Sequence, residues 1–161
     1  MDVIDRMNEQ WRRVRPDLDP GALDVVGRVL VLAQFLDKSV NEALAKHDLS
    51  LGQFDILATL RRDEGDNGLT PTRLMRSVAL SSGGMTNRLD RLETAGLIAR
   101  EPDPGDRRGV VIRLTAAGRH VIDDATETRF AEAKGSLPPL TKSEMKDLAE
   151  LLRKWLAAFE G

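Results

Sequence analysis

The stretch Ser81-Ser82-Gly83-Gly84-Met85-Thr86-Asn87-Arg88-Leu89-Asp90-Arg91-Leu92-Glu93-Thr94-Ala95-Gly96 decides how the rest of the chain is read. Ser81 is of the helix N-cap type, Met85, Leu89 and Leu92 recur at four and three residues, and Gly96 stands where a C-cap belongs. At about 100° per residue those three apolar side chains define one buried side. Gly83, Asn87 and Asp90 fall opposite it, Thr86 and Arg91 flank them, and Arg88 lies only about 60° from the buried side. Asn87 and Arg91 can each make paired hydrogen bonds to purine edges, Ser82 and Thr86 can bond phosphates or bases, and Gly83-Gly84 permits close backbone approach. A solvated polar face is the plain alternative.

The neighbours of this helix weigh against that alternative. Leu97 to Glu101 and Gly109 to Leu114 read as two strands. Between them Pro102-Asp103-Pro104-Gly105-Asp106 reads as a connection too long for a two-residue turn, which makes a projecting hairpin with a charged tip. Arg107 and Arg108 at that tip suit a narrow minor groove, and Asp106 can hold one guanidinium extended; a surface ion pair is the simpler alternative. Upstream, Thr70-Pro71 opens a short helix carrying Leu74 and Val78. A short helix, a brief connection, a second helix and a strand pair make a winged helix-turn-helix, whose second helix enters the major groove.

Outward from this lobe the pattern is helical. Ile4, Met7, Trp11 and Val14 stand at helical intervals before Pro16. Asp19-Pro20 reads as a cap and first-turn proline for a long helix through Leu23, Val26, Leu30, Leu36, Val40 and Leu44, ending near His47. Ser50 with Gln53 forms a capping box ahead of Phe54, Leu57 and Leu60, and a polar loop runs from Asp63 to Gly68. Thr115 caps a helix through Val121, Ile122, Ala125 and Phe130, and Thr141 with Glu144 caps the last, from Met145 to Phe159. The expected fold is mainly α with a small β-hairpin wing (α+β), forming one structural domain. Residues 1–48 hold an N-terminal helix and the first dimerisation helix, 49–115 the winged lobe, and 116–161 the C-terminal dimerisation helices. The flanking apolar faces exceed what so small a core needs, so a homodimer is expected; packing within one chain is the alternative.

Composition agrees with a nucleic-acid partner only regionally. The 161 residues carry a net charge of −2, but residues 1–69 carry −4, 70–119 carry +4 and 120–161 carry −2. All nine cations of the middle region are arginines, whose planar forks suit phosphates and base edges. Hydrophobic residues at 41% and charged at 31% argue for a globular domain. No uncharged apolar run approaches the length of a membrane span and Met1-Asp2-Val3-Ile4 has no signal pattern, so the chain reads as cytoplasmic. The absence of cysteine excludes disulfides and thiolate sites. His47 and His120 make no local metal motif, and there is no P-loop, dinucleotide glycine motif or His-Glu-x-x-His. Asp123-Asp124 are adjacent on a helix and diverge. No cofactor and no enzymatic activity are expected.

The run Leu80 to Glu93, then Gly96-Leu97-Ile98, then Asp106-Arg107-Arg108-Gly109 through Leu114-Thr115 with Gly118-Arg119, resembles the MarR family of bacterial transcription regulators. The resemblance implies a triangular homodimer binding double-stranded DNA at a palindromic operator, as a repressor released by a small anionic aromatic effector. Within the family the chain is similar to the urate-responsive, PecS-like branch. That likeness implies that Trp11, Asp55, Arg88 and Arg100 serve ligand binding and its coupling, with urate or a related purine or phenolic anion as effector. Such a set is chemically sensible, since indole stacks on a flat purine, guanidinium holds an anion, and Asp55 can pair with an arginine until ligand displaces it. Ordinary packing for Trp11 and a structural ion pair for the rest are the alternatives. A protein-docking winged helix and an effector-independent DNA-binding protein are the rival functions.

Overall fold

Helix α1 (Val3–Val14) begins at a capping box in which Asp2 accepts from the backbone of Ile4 and Asp5, and Asp5 accepts from Asp2. Its inward residues Ile4 and Asn8 are buried against α2 (Gly21–Leu44). Ile4 lies so close to Gly27 that a Cβ there would sit 2.9 Å from Ile4 Cδ1. Asn8 donates to Asp24 at 2.6 Å, and Arg28 reaches Asp2 at 2.9 Å and Asp5 at 2.5 Å. The expected cap of α2 is displaced by one residue. Pro20 precedes the first helical residue, and Asp19 accepts the Gly21 N–H at 2.9 Å from outside the helix.

The computed structural model describes residues 1–63, 68–78 and 84–159, with the backbone alone at Arg107 and Arg108. The expected roles of Ser82 and Gly83 therefore fall outside the described residues, as does most of the Asp63–Gly68 loop, while the expected Ser81 cap is not the cap of the Met85 helix, which begins directly after Gly84 with no side-chain cap. A tight turn at Ala45–His47 ends with Asp48 in the left-handed region (φ 56°) and redirects the chain into α3 (Leu51–Arg62). The Ser50–Gln53 capping box is present. Helix α3 buries Phe54 and every residue from Ile56 to Leu60, making it the centre of the core. Thr70 caps α4 (Pro71–Ser77), which buries Leu74. Helix α5 (Met85–Thr94) buries Met85, Leu89 and Leu92, as their spacing requires, and Gly96 follows it at φ 71°.

Strands β1 (Ile98–Asp103) and β2 (Asp106–Leu114) form the antiparallel wing. Its turn departs from the expected long connection. Asp103 pairs with Asp106, leaving Pro104 and Gly105 as a two-residue turn, with a register shift between Pro102 and Asp103. Pro102 is tolerated because a two-stranded ribbon has open edges, and the Asp103 side chain accepts the Gly105 N–H at 2.8 Å. Arg107 and Arg108 consequently belong to the start of β2 rather than to a loop. Leu69 adds a single bridge to Ile112, with N–H···O distances of 3.1 and 2.8 Å, that sequence reading did not anticipate.

Thr115 caps α6 (Ala116–Gly135) and a Thr141–Glu144 capping box starts α7 (Lys142–Leu156). The wing root is welded to α6. Thr115 Oγ1 donates to Gly96 O at 2.6 Å, Thr115 N–H donates to Leu97 O at 3.1 Å, and a Cβ on Gly118 would lie 1.8 Å from Leu97 O. One continuous core joins α2, α3, α5, α6 and the wing through Leu44, Leu57, Leu92, Ile112 and Ile122. Outside it, α7 buries none of its residues, and Val25, Leu30, Phe35 and Leu36 of α2, Phe130 of α6 and Leu151 and Leu156 of α7 are exposed in the protomer. Among the described residues no helix is long and apolar enough to cross a membrane.

Candidate nucleic-acid interface and ligand site

Because Met85, Leu89 and Leu92 anchor α5, its opposite side is turned to solvent. Thr86, Asn87, Asp90 and Arg91 are all exposed there, and Asn87, Asp90, Arg91 and Thr94 line a shallow depression. Gly84 precedes the helix at φ 80°, a conformation glycine adopts without strain, with nothing among the described residues within 4 Å of a would-be Cβ. The side chains of Arg107 and Arg108 are not described, but their backbone leaves the wing turn immediately after Asp106, which is itself engaged in an interaction.

Arg100 links the two parts of this surface. From β1 it reaches back to α5, donating to Asp90 at 2.6 Å and, through its other terminal nitrogen, to Glu93. The hydrogen bond to Asp90 raises the Arg100 pKa further, against a smaller opposing effect of burial. The contact fixes the wing relative to the helix and neutralises carboxylates that would otherwise face an approaching phosphate backbone.

A second charged cluster lies inside the lobe. Arg88 is partly buried and runs beneath α5 onto α3, where a Cβ on Gly52 would meet its Nε at 2.6 Å and its Cζ at 2.7 Å. One turn further along α3, Asp55 has a buried Oδ2 with no hydrogen-bond partner among the described residues. Burial raises the Asp55 pKa, and the charges of Arg62, Arg129 and Arg88 pull it back in part. An acceptor short of a donor, ringed by cations, suits a small anion carrying N–H or O–H groups.

The structure thus brings Asp55 and Arg88 together and leaves the other two ligand candidates apart from them. Arg100 is committed to Asp90 and Glu93. Trp11 is 47% exposed on α1, which runs antiparallel to α2, since Ile4 meets Gly27 and Asn8 meets Asp24. That course carries Trp11 toward the start of α2, whereas α3 is tied to its far end by the Asn41–Leu51 hydrogen bond at 2.9 Å. About twenty helical residues, roughly 30 Å, separate the two ends. Sequence reading missed Arg62 and Arg129. Arg62 follows Asp55 by two helical turns, a usable signal; Arg129 arrives from α6 by tertiary packing and has none.

Histidines do not assemble a metal site. His47 Nε2 bonds Thr128 Oγ1 at 2.8 Å, while His120 stands two turns away beside Asp124 at 3.7 Å. Among the described residues no group of three His, Asp or Glu side chains could hold a metal ion.

A helix with a polar outward face, a short helix before it and a two-stranded wing after it define a winged helix-turn-helix protein of the DNA-binding class. Residues 47–109 match the MarR family model. The chain is 36% identical to the transcriptional regulator PecS of Dickeya dadantii over 144 residues, 89% of this chain and 87% of PecS. It is 31% identical to the multiple antibiotic resistance protein MarR of Escherichia coli over 133 residues, 81% and 90% of the two chains. A mutant E. coli MarR in complex with operator DNA superposes with a TM-score of 0.71 at 28% identity, covering 91% of this chain and 97% of that one. The fold is shared also with BpsR of Bordetella bronchiseptica, at a TM-score of 0.73 and 22% identity over 81% of this chain and 91% of that one. The chain belongs to the MarR family of transcriptional regulators, DNA-binding proteins rather than enzymes, and the likeness to PecS supports the PecS-like branch.

Proposed function

We propose that the chain is a homodimeric repressor of a palindromic operator, released when a small planar anion such as urate occupies the Asp55–Arg88 site. The observation that carries this reading is the course of Arg88, which starts on the reading helix and ends against α3 beside an acceptor that lacks a donor among the described residues. Ligand that draws Arg88 toward Asp55 moves α5, and two such helices must keep a spacing of about 34 Å to enter successive major grooves. Thr86, Asn87 and Arg91, with Ser82 and Gly83, read the major groove; Arg107 and Arg108 enter the minor groove with Asp106 orienting them; Arg100 couples the two. The unburied apolar faces of α2 and α7 supply the subunit interface. One α2 length separates Trp11 from Asp55 within a protomer, so the indole stacking on ligand comes from the second copy. The BpsR structure concerns regulation of that protein's DNA binding by 6-hydroxynicotinic acid, which supports a small aromatic anion as the ligand class here.

A mobility shift on DNA upstream of the coding region, with and without urate and a panel of purines and phenolic acids, tests the reading. Binding should weaken steeply with salt, Arg108→Ala should lose most affinity, and urate should release the duplex. Urate should also quench Trp11 fluorescence in a Trp155→Phe background. Arg88→Ala should remain a dimer yet stay on DNA at saturating urate. Release from that variant would place the effector site elsewhere.

A further inference from the structure

Arg129 has two carboxylates to choose between. On α6 its Nη1 donates to Glu132 Oε2 at 2.7 Å, and the Arg61–Asp123 ion pair at 2.7 Å with the His47–Thr128 hydrogen bond at 2.8 Å sets α6 antiparallel along α3, which brings Arg129 level with Asp55. The Glu132 side chain is only 9% exposed, although Ala131 and Ala133 on either side of it are exposed. Its other oxygen accepts from Ser39 of α2 at 2.8 Å and from Ser136 at 2.6 Å. Burial would raise the Glu132 pKa, but those hydroxyls and Arg129 together hold it below the ordinary glutamate value. Glu132 is therefore a satisfied carboxylate, whereas Asp55 keeps a buried oxygen with no hydrogen-bond partner among the described residues. Arg129 also borders an open cleft of about 300 Å³, lined by Leu36, Glu132, Ser136 and Leu137, so its 34% exposed side chain is not packed in on that side.

We propose that Arg129 is a third ligand-holding arginine of the Asp55–Arg88 site, bonded to Glu132 when the site is empty and turned onto the anion when it is filled. Glu132 is then the internal competitor that sets how tightly the anion binds. The inference rests on the ligand reading above. Charge explains the exchange: a small anion supplies Arg129 with a new acceptor, and the two serines keep Glu132 hydrogen-bonded after the arginine leaves. Because Ser39 belongs to α2, the departure also alters the contact between α2 and α6 next to exposed Phe35 and Leu36.

Calorimetric titration of the full-length dimer with urate, salicylate and 6-hydroxynicotinate tests the exchange through the signs of two substitutions. Glu132→Gln removes the competing charge while keeping acceptors for both serines, and should tighten the best-bound anion by about fivefold. Arg129→Ala should weaken it by about tenfold, and the double variant should match Arg129→Ala. If Arg129→Ala fails to dimerise, Arg129→Gln takes its place with the same expectation. A purely structural role would lower thermal stability in both variants and shift affinity in neither, or in the same direction. That result, with Arg88→Ala still abolishing binding, overturns the role of Arg129 and leaves the site standing. Wild-type protein that binds none of the three anions, or Arg88→Ala that binds as wild type does, overturns the ligand reading and this exchange with it.

Discussion

Arg100 and Arg88 serve the same reading helix from opposite sides, and their surroundings differ in one respect. Arg100, at the solvent edge, meets two carboxylates that are both matched to its nitrogens. Arg88, on the inner side, approaches a carboxylate whose buried oxygen lacks a donor among the described residues. A satisfied pair holds geometry, because any displacement loses a bond. An under-satisfied acceptor favours whatever donor arrives. On the proposed reading the outer cluster fixes the DNA-facing shape, and the inner one makes that shape responsive.

Substitutions can separate the two. Leu92 is fully buried on the helix that carries Arg88 and Asp90, so Leu92→Ala should cost about 3 kcal/mol of stability and degrade operator binding and ligand response together, as read by chemical denaturation and mobility shift. Arg100→Ala acts on the outer cluster alone. It should lower operator affinity on the order of tenfold at low salt, leaving calorimetric ligand affinity within about twofold. Equal losses in both measurements would merge the clusters into one site. Gly52→Ala addresses the inner cluster without removing a charge. The new methyl forces the Arg88 guanidinium aside, so ligand response should fall while the melting temperature holds, since alanine in a helix gains about 0.5–1 kcal/mol over glycine.

The smallest effect is a pH signature. Burial raises the Asp55 pKa, so the folded state favours its protonated form. That contribution is present below the ordinary aspartate value and is lost as pH rises through the raised one. Asp55→Asn, which cannot ionise, should therefore raise the melting temperature at pH 7. The gain should shrink toward zero near about pH 4. A gain independent of pH would mean that the carboxylate carries no burial penalty.

Local chemistry made most of the fold legible. The Ser50–Gln53 and Thr141–Glu144 boxes, the Thr70 and Thr115 caps and the Met85, Leu89, Leu92 spacing each depend on residues within one or two turns. The wing turn was misread because Pro102 and Asp103 look like loop formers, and only their cross-strand partners show that an open-edged ribbon accommodates them. The nearness of Asp55 and Arg88 was anticipated from a resemblance and from the angle of Arg88 on its helix. Arg129 could not be read, because it stands 74 positions beyond Asp55 and its approach is a product of α3–α6 packing. The partners of Arg100 lie seven and ten residues back, across a turn whose geometry spacing alone does not fix.

The carbonyl of Leu97, pressed against Gly118, has a mechanical consequence. With no slack at that joint, neither the wing root nor the first turn of α6 has room to shift without the other.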